Sequence, residues 1–257
     1  MSKDVRVIGL NYNVSTKKIL DNIRIDVDNE KFVGIIGPNG SGKTSLLKHI
    51  YRALPDKGKK IYIHDKLLSQ YKHKESARKI TVMRQENQGE FNYTVMEIVL
   101  MGRFPYKSFL ESSNDSDFNL AQSALEYVEM LEKKDVIFRF LSGGEKQRVL
   151  MARSIVQDAD IILLDEPTNH LDVHYQWRLL SLIKQLGKTT LAVFHDLNHA
   201  IVFCDYIYVI NDGEIVSYGE PHKIITEDLL RKVFRVESQI IQRKDGVSQI
   251  LYLGPII

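Results

Sequence analysis

The sequence predicts an α/β fold with a mostly parallel central sheet, an antiparallel β layer and an inserted helical subdomain. Three observations carry this. Short apolar runs alternate with longer helical patterns, as in parallel sheets covered by helices on both faces. Those runs end at polar residues able to do chemistry. From about residue 86 to 157 the β-rich texture gives way to helical periodicity, which places the subdomain inside a single domain spanning 1–257.

Composition bounds the rest. The chain has 257 residues, 44% apolar and 26% charged, ordinary for a globular protein with a substantial core. Thirty-five Lys and Arg against 33 Asp and Glu leave +2, too little to argue for nucleic acid as a partner. The single cysteine, Cys204, follows Ile201-Val202-Phe203 and reads as a buried thiol. The start, Met1-Ser2-Lys3-Asp4-Val5-Arg6, lacks the apolar core of a secretory signal. No apolar run reaches about 18 residues, so any membrane spanning falls to other chains.

In chain order, the first 30 residues are rich in alternating β-type residues. With residues 207–218, where Asp212-Gly213 signals a hairpin, they predict an antiparallel layer beside the main sheet. Phe32-Val33-Gly34-Ile35-Ile36 reads as a buried strand, and Gly37-Pro38-Asn39-Gly40-Ser41-Gly42-Lys43-Thr44 after it fits G-x-x-x-x-G-K-[ST]. Glycines there let backbone N–H groups face phosphates, and a helix beginning near Lys43 adds its positive end. Lys43 supplies a charge to the outer phosphates and Thr44 a hydroxyl to magnesium. The core is therefore that of a phosphate-loop NTPase.

The strand at residues 80–83 leads to Gln85, a candidate contact to magnesium and the attacking water that ties both to the helical insertion. Within the insertion Thr94 and Glu97 form a capping box, and Ala121, Ala124, Leu125, Val128 and Leu131 repeat at helical spacing. Glu111-Ser112-Ser113-Asn114-Asp115-Ser116-Asp117 reads as a loop. Ser142-Gly143-Gly144 opens a further predicted helix and is a second phosphate-binding surface, more than one chain ordinarily needs for one phosphate tail.

Ile161-Ile162-Leu163-Leu164 predicts a buried strand that delivers Asp165, placed to hold magnesium through water, and Glu166, the candidate to polarise the attacking water. Residues 189–194 form another, ending at His195, a candidate hydrogen-bond partner of the γ-phosphate. Ligands collect beyond the carboxyl ends of such strands, so residues 37–44, Asp165, Glu166 and His195 should converge. The i, i+4 pairs His170/His174 and His195/His199 lack the glutamate of H-E-x-x-H and do not predict zinc. Near the end, residues 228–234 read as helix and 247–253 as strand.

Together the phosphate loop, Gln85, Leu141-Ser142-Gly143-Gly144-Glu145, Leu163-Leu164-Asp165-Glu166-Pro167-Thr168, Asn169-His170-Leu171-Asp172 and His195, in that order, resemble the ATP-binding cassette family. The resemblance implies the ABC ATPase fold and two cassettes closing head to tail around two ATP molecules. It implies that Ser142, Gly143 and Gly144 reach the γ-phosphate held by the other chain, that Asp172 lies in the loop coupling the half-sites, and that Tyr12 stacks on adenine. Glu145 and Asn169 stand where the family often has Gln and Ser.

Val99-Leu100-Met101-Gly102-Arg103-Phe104-Pro105-Tyr106, Leu171-Asp172-Val173-His174-Tyr175-Gln176 and His195-Asp196-Leu197-Asn198-His199-Ala200 are similar to the ATPases of bacterial importers for iron–siderophore complexes, haem and cobalamin. The expectation is thus a Mg-ATP-hydrolysing importer subunit, an ATP-dependent homodimer on the cytoplasmic face of the membrane. A separate permease would dock on the helical insertion, and an extracytoplasmic binding protein would deliver cargo. Alternatives are an importer ATPase for zinc, manganese or molybdate, an exporter ATPase, and a soluble cassette ATPase outside transport.

Overall fold

The protein, seen in a computed structural model that describes residues 3–84, 92–108, 111–169 and 171–256, divides into two units: Met1–Gln70 with Lys184–Ile257, and Tyr71–Ile183. In the first unit Lys3–Val14 and Lys17–Asp28 form an antiparallel hairpin with Val7 opposite Ile25. Ile23, Ile25 and Val27 are buried while Asn22, Arg24 and Asp26 are exposed, the period-two split of a sheet covered on one face. Ile61–Ile63 adds to Lys3–Val14 and completes the predicted antiparallel layer with the short strand Lys66–Leu67.

A second sheet in this unit is built on Phe32–Ile36, buried throughout, with Thr189–Val193 and Tyr206–Asn211 parallel to it on either side. Continuous burial is what a parallel strand with both faces covered requires. Cys204 is buried beside it, 2.8 Å from where a Cβ on Gly34 would lie, and burial pushes its thiol pKa well up.

The hairpin at Asp212-Gly213 forms as predicted, joining Tyr206–Asn211 to Glu214–Gly219, with both turn residues at positive φ. Its place differs from the expectation. Tyr206–Asn211 pairs with Phe32–Ile36, so the hairpin extends the main sheet and does not join the amino-terminal layer. The reason is burial: Ile207, Val209 and Ile210 are fully enclosed, and only the outer strand Glu214–Gly219 alternates.

The predicted carboxy-terminal helix is a short turn, Glu227–Leu229, running into a π-helix, Leu230–Phe234. Ser248–Pro255 pairs with Val236–Gln242, a strand absent from the sequence reading because its one buried residue is a serine, Ser238.

In the second unit Ile80–Arg84 runs parallel to Ile161–Asp165, Met83 opposite Leu164. Helices Val95–Leu100, Asp115–Tyr127 and Gly143–Gln157 pack beside one another. The Thr94–Glu97 capping box is present, and Ala121, Ala124, Leu125 and Val128 are buried as the spacing predicts. Leu131 instead begins a separate 3-10 turn, Leu131–Lys133.

The loop expected at residues 111–117 is a loop only to Asn114. There the Asn114 side chain accepts from Asp117 N at 3.0 Å, and Asp117 Oδ2 accepts from Asn114 N at 3.1 Å. The polar residues are a capping box and the start of a helix. Asp117 is buried, and burial alone raises its pKa. Hydrogen bonds from Lys107, Asn114 N–H and Arg103 outweigh that and hold the carboxyl at about 2.

The segment around Gly102 braces the long helix Gly143–Gln157. Arg103 Nη1 donates to Val156 O at 3.1 Å, and Tyr106 Oη to Gln157 O at 3.1 Å. A Cβ on Gly102 would lie 2.4 Å from Arg153 O and 3.1 Å from Gln157 N. Both obstacles are backbone of the long helix and cannot swing aside. Gly102→Ala is expected to cost about 1–3 kcal/mol by overpacking. Thermal melting checks this, and an unshifted midpoint would contradict it.

Candidate active site

In the first unit the phosphate loop is shaped by close backbone approach. A Cβ on Gly37 would lie 2.0 Å from Ile210 O, and one on Gly42, at φ 107°, would lie 2.7 Å from Ile19 O. Only glycine fits at either position. Lys43 opens the helix Lys43–Ile50 with 4% of its surface exposed, and its Nζ donates to Gly37 O and Pro38 O, each at 2.8 Å. The ammonium is thus curled into the loop it follows. Ser41 Oγ is buried there without a hydrogen-bond partner. A positive helix end with no acid in its first turn, a folded-in cation and an orphaned hydroxyl together fit a phosphate anion.

Parallel register brings His195 to the same edge of this sheet. Ile35 pairs with Val193, Phe194 N donates to Ile35 O at 3.0 Å, and His195 emerges exposed just beyond. His199 lies on the next helix, Leu197–Phe203, with 3% exposure against Phe203, and burial lowers its pKa. One histidine of this pair faces solvent and the other the core. His170, of the second pair, lies outside the described residues, as does Gln85.

Tyr12 sits half-exposed on Lys3–Val14, its ring edge-on to His49 with centroids 4.8 Å apart. The two line a cavity of about 460 Å³ with Asn11, Asn13, Lys57 and Lys60. Burial lowers the His49 pKa, so the ring Tyr12 meets is neutral at neutral pH.

In the second unit four buried residues, Ile161, Ile162, Leu163 and Leu164, drive a strand that ends at Asp165, with Glu166 next. Glu166 takes φ 54°, a left-handed backbone that a non-glycine residue adopts at a cost. Asn169 secures it: Nδ2 donates to Glu166 Oε2 at 2.6 Å and its backbone N to Glu166 O at 3.2 Å. This role of Asn169 was missed from sequence. Its only trace there is a carboxamide three residues beyond the carboxylate. Asp172 accepts from Tyr175 N at 3.1 Å at the start of helix Val173–Gln185. Gln176 Nε2 donates to Thr168 O and Leu171 O, both at 3.1 Å, and fastens the intervening turn to that helix.

Ser142 caps the helix Gly143–Gln157, and Ser142 and Gly143 are exposed at its amino end. Glu145 completes a capping box, accepting from Ser142 N at 2.9 Å and from Ser142 Oγ at 3.0 Å. Its ion pair with Lys133, with those hydrogen bonds, holds the Glu145 carboxyl at about 2. The S-x-x-E spacing carried this signal in the sequence. The phosphate loop and His195 thus share one sheet edge in the first unit. The acids, the Asp172 turn and residues 142–144 belong to the second.

A family model described as "ABC transporter" matches residues 20–169. A hemin import ATP-binding protein, HmuV of Shewanella denitrificans, is 35% identical over 94% of this chain and 97% of its own length. FhuC of Bacillus subtilis, an iron(3+)-hydroxamate import ATP-binding protein, is 33% identical over 91% of this chain and 88% of its own. YvrA of the same organism, an uncharacterized ABC transporter ATP-binding protein, is 34% identical over 96% of this chain, which spans 57% of that relative's length. Among solved structures, an inward-facing metal-chelate type ABC transporter superposes with a TM-score of 0.85 at 26% identity, covering 98% of both chains. A bacterial cassette solved as a dimer gives 0.73 at 26% identity, over 84% of this chain and 98% of that one.

Proposed function

The chain belongs to the ABC transporter family, and from that membership we propose that it is the ATP-hydrolysing subunit of a bacterial importer for an iron chelate, haem or cobalamin. One observation supports the mechanism: the chain has a loop folded around its own lysine and, apart from it, an exposed serine–glycine helix end, each suited to a phosphate. Residues 142–144 complete the site of a second copy, and that copy returns the contact.

ATP binds through residues 37–44, with Lys43 leaving the Gly37 and Pro38 carbonyls for the outer phosphates and Tyr12 stacking on the base. Thr44 and Asp165 offer the hard oxygen donors magnesium takes, and Gln85 a third. Bound magnesium offsets charge on the phosphate oxygens. Glu166 accepts a proton from the attacking water, and His195 hydrogen-bonds the γ-phosphate. Asp172 links the two half-sites. Closure is favoured by contacts made only when the two chains meet, so ATP shifts the dimer toward the closed state and hydrolysis releases it.

No helix among the described residues is long and apolar enough to cross a membrane. By the family's arrangement a separate permease spans the membrane, and the chain works peripherally on its cytoplasmic face. Docking falls to the helical insertion, where Phe104 is 61% exposed while its neighbours brace the long helix. Cargo reaches the permease from an extracytoplasmic binding protein.

Purification from native membranes tests this reading. The chain is expected to bring down an integral-membrane permease with two copies of itself, and its loss to abolish growth on one class of chelate under iron depletion. Recovery with ribosomes, or with no membrane protein, would overturn it.

A further inference from the structure

The first turn of the helix Gly143–Gln157 is ion-paired to Lys133 through Glu145 and packed against the ring of Tyr175. The ring of Tyr175 lies where a Cβ on Gly144 would come within 3.3 Å of its Cδ2, and the guanidinium of Arg148 sits over the same ring at 5.0 Å. Gly144 and Arg148 are four residues apart, so the ring covers one face of that turn. Arg148 also reaches Met130 Sδ at 3.5 Å, a second contact that holds the guanidinium.

Tyr175 is in turn tied to the Asp172 turn through its backbone N–H, 3.1 Å from Asp172 Oδ1. From there the chain of contacts continues to the acids. Gln176 holds Thr168 and Leu171 by their carbonyls, and Asn169 holds Glu166. Packing at Gly144 and Arg148, followed by hydrogen bonds spaced along residues 166–176, thus connects the exposed serine–glycine end to the Glu166 carboxylate. If residues 142–144 serve the partner's ATP and Glu166 the chain's own, this connection lies between two different active sites.

We propose that Tyr175 is a positioning residue that couples the half-sites: it transmits the seating of residues 142–144 on the partner's nucleotide to the Asp172 turn and Glu166. Packing suits this task because a flat ring between a glycine and a cation has little room to shift without moving one of them. The hydroxyl has no part in it. The inference rests on the reading of residues 142–144 as contacts to the other chain's phosphate.

The test uses the full-length chain assembled with its permease, and compares Tyr175→Leu, Tyr175→Phe and Ser142→Arg. Tyr175→Leu is expected to bind ATP as an isolated chain within about twofold of the parent and to turn over about tenfold or more slowly at saturating ATP, the scale of loss that small misplacements of reacting groups produce. Its dependence on ATP should change from sigmoidal to hyperbolic, since the sites no longer communicate. Tyr175→Phe is expected to restore rate and cooperativity.

A Tyr175→Leu variant with parent rate and cooperativity would overturn the proposal, as would a Tyr175→Phe variant as impaired as Tyr175→Leu. Should Tyr175→Leu not fold, Arg148→Gln removes the cation from the ring and must lower cooperativity in the same way. Parent behaviour there overturns the proposal. Hydrolysis surviving in Ser142→Arg would instead defeat the underlying reading. Its loss there, with Tyr175→Leu unimpaired, would defeat the coupling alone.

Discussion

Glu166→Gln is expected to bind ATP like the parent, accumulate as a closed dimer with Mg-ATP, and hydrolyse about 10²–10⁴-fold more slowly, the range attributed to a general base. The substitution is conservative for structure. A glutamine carbonyl can still accept the 2.6 Å hydrogen bond from Asn169, and the left-handed backbone at φ 54° is no more strained by Gln than by Glu. What disappears is the capacity to take a proton. ATP-driven closure goes forward, and the step that would reopen the dimer does not. Gel filtration with Mg-ATP and single-turnover hydrolysis measure both halves. A variant that stays monomeric, or hydrolyses at the parent rate, removes Glu166 from this role.

Ser142→Arg is expected to lower hydrolysis by about 10²-fold or more, the size of effect seen when a transition-state charge loses a preorganised donor. ATP binding by the isolated chain should be spared. Part of the change is local, since the serine side chain caps the helix at Glu145 N and losing a cap costs about 1 kcal/mol. That is too small to unfold the protein. The larger effect is a bulky side chain where the partner's phosphate should sit. Lys43→Ala should fail for a different reason, losing ATP from its own loop. Mixed in equal amounts, the two variants form dimers with one intact half-site, the Lys43 of one chain facing the Ser142 of the other. Turnover reports its recovery, since neither variant alone has an intact half-site. A mixture that hydrolyses ATP no faster than its separate parts speaks against an active site shared between chains.

Much of the fold was legible because its strands are extreme. Phe32–Ile36, Ile161–Asp165 and Thr189–Val193 are buried nearly throughout and mostly apolar, so their pattern hardly depends on neighbours. Errors arose where pattern and environment part. The strand Tyr206–Asn211 looked like half of an ordinary hairpin, and only its pairing with Phe32–Ile36 makes it internal. Residues 114–117 looked like a polar loop because a capping box and a buried Asp117 use the same residue types as a turn.

Candidate site residues divide in the same way. Gly37, Gly42, Lys43, Asp165 and Glu166 stand out as candidates from local spacing, because a phosphate loop and a strand-end acid are built within a few consecutive residues. Asn169 and Tyr175 were not, since nothing in their own neighbourhood marks an asparagine as a carboxylate's clamp or a tyrosine as a wedge. Segments determined by the sequence alone are those whose chemistry is local: the loop, the acids and the serine–glycine cap. The tertiary structure alone decided which distant side chains hold them. Lys43 turns onto its own loop carbonyls, Asn169 grips Glu166, and Tyr175 presses on Gly144, because close packing and hydrogen-bond satisfaction are settled only when separated parts of the chain meet.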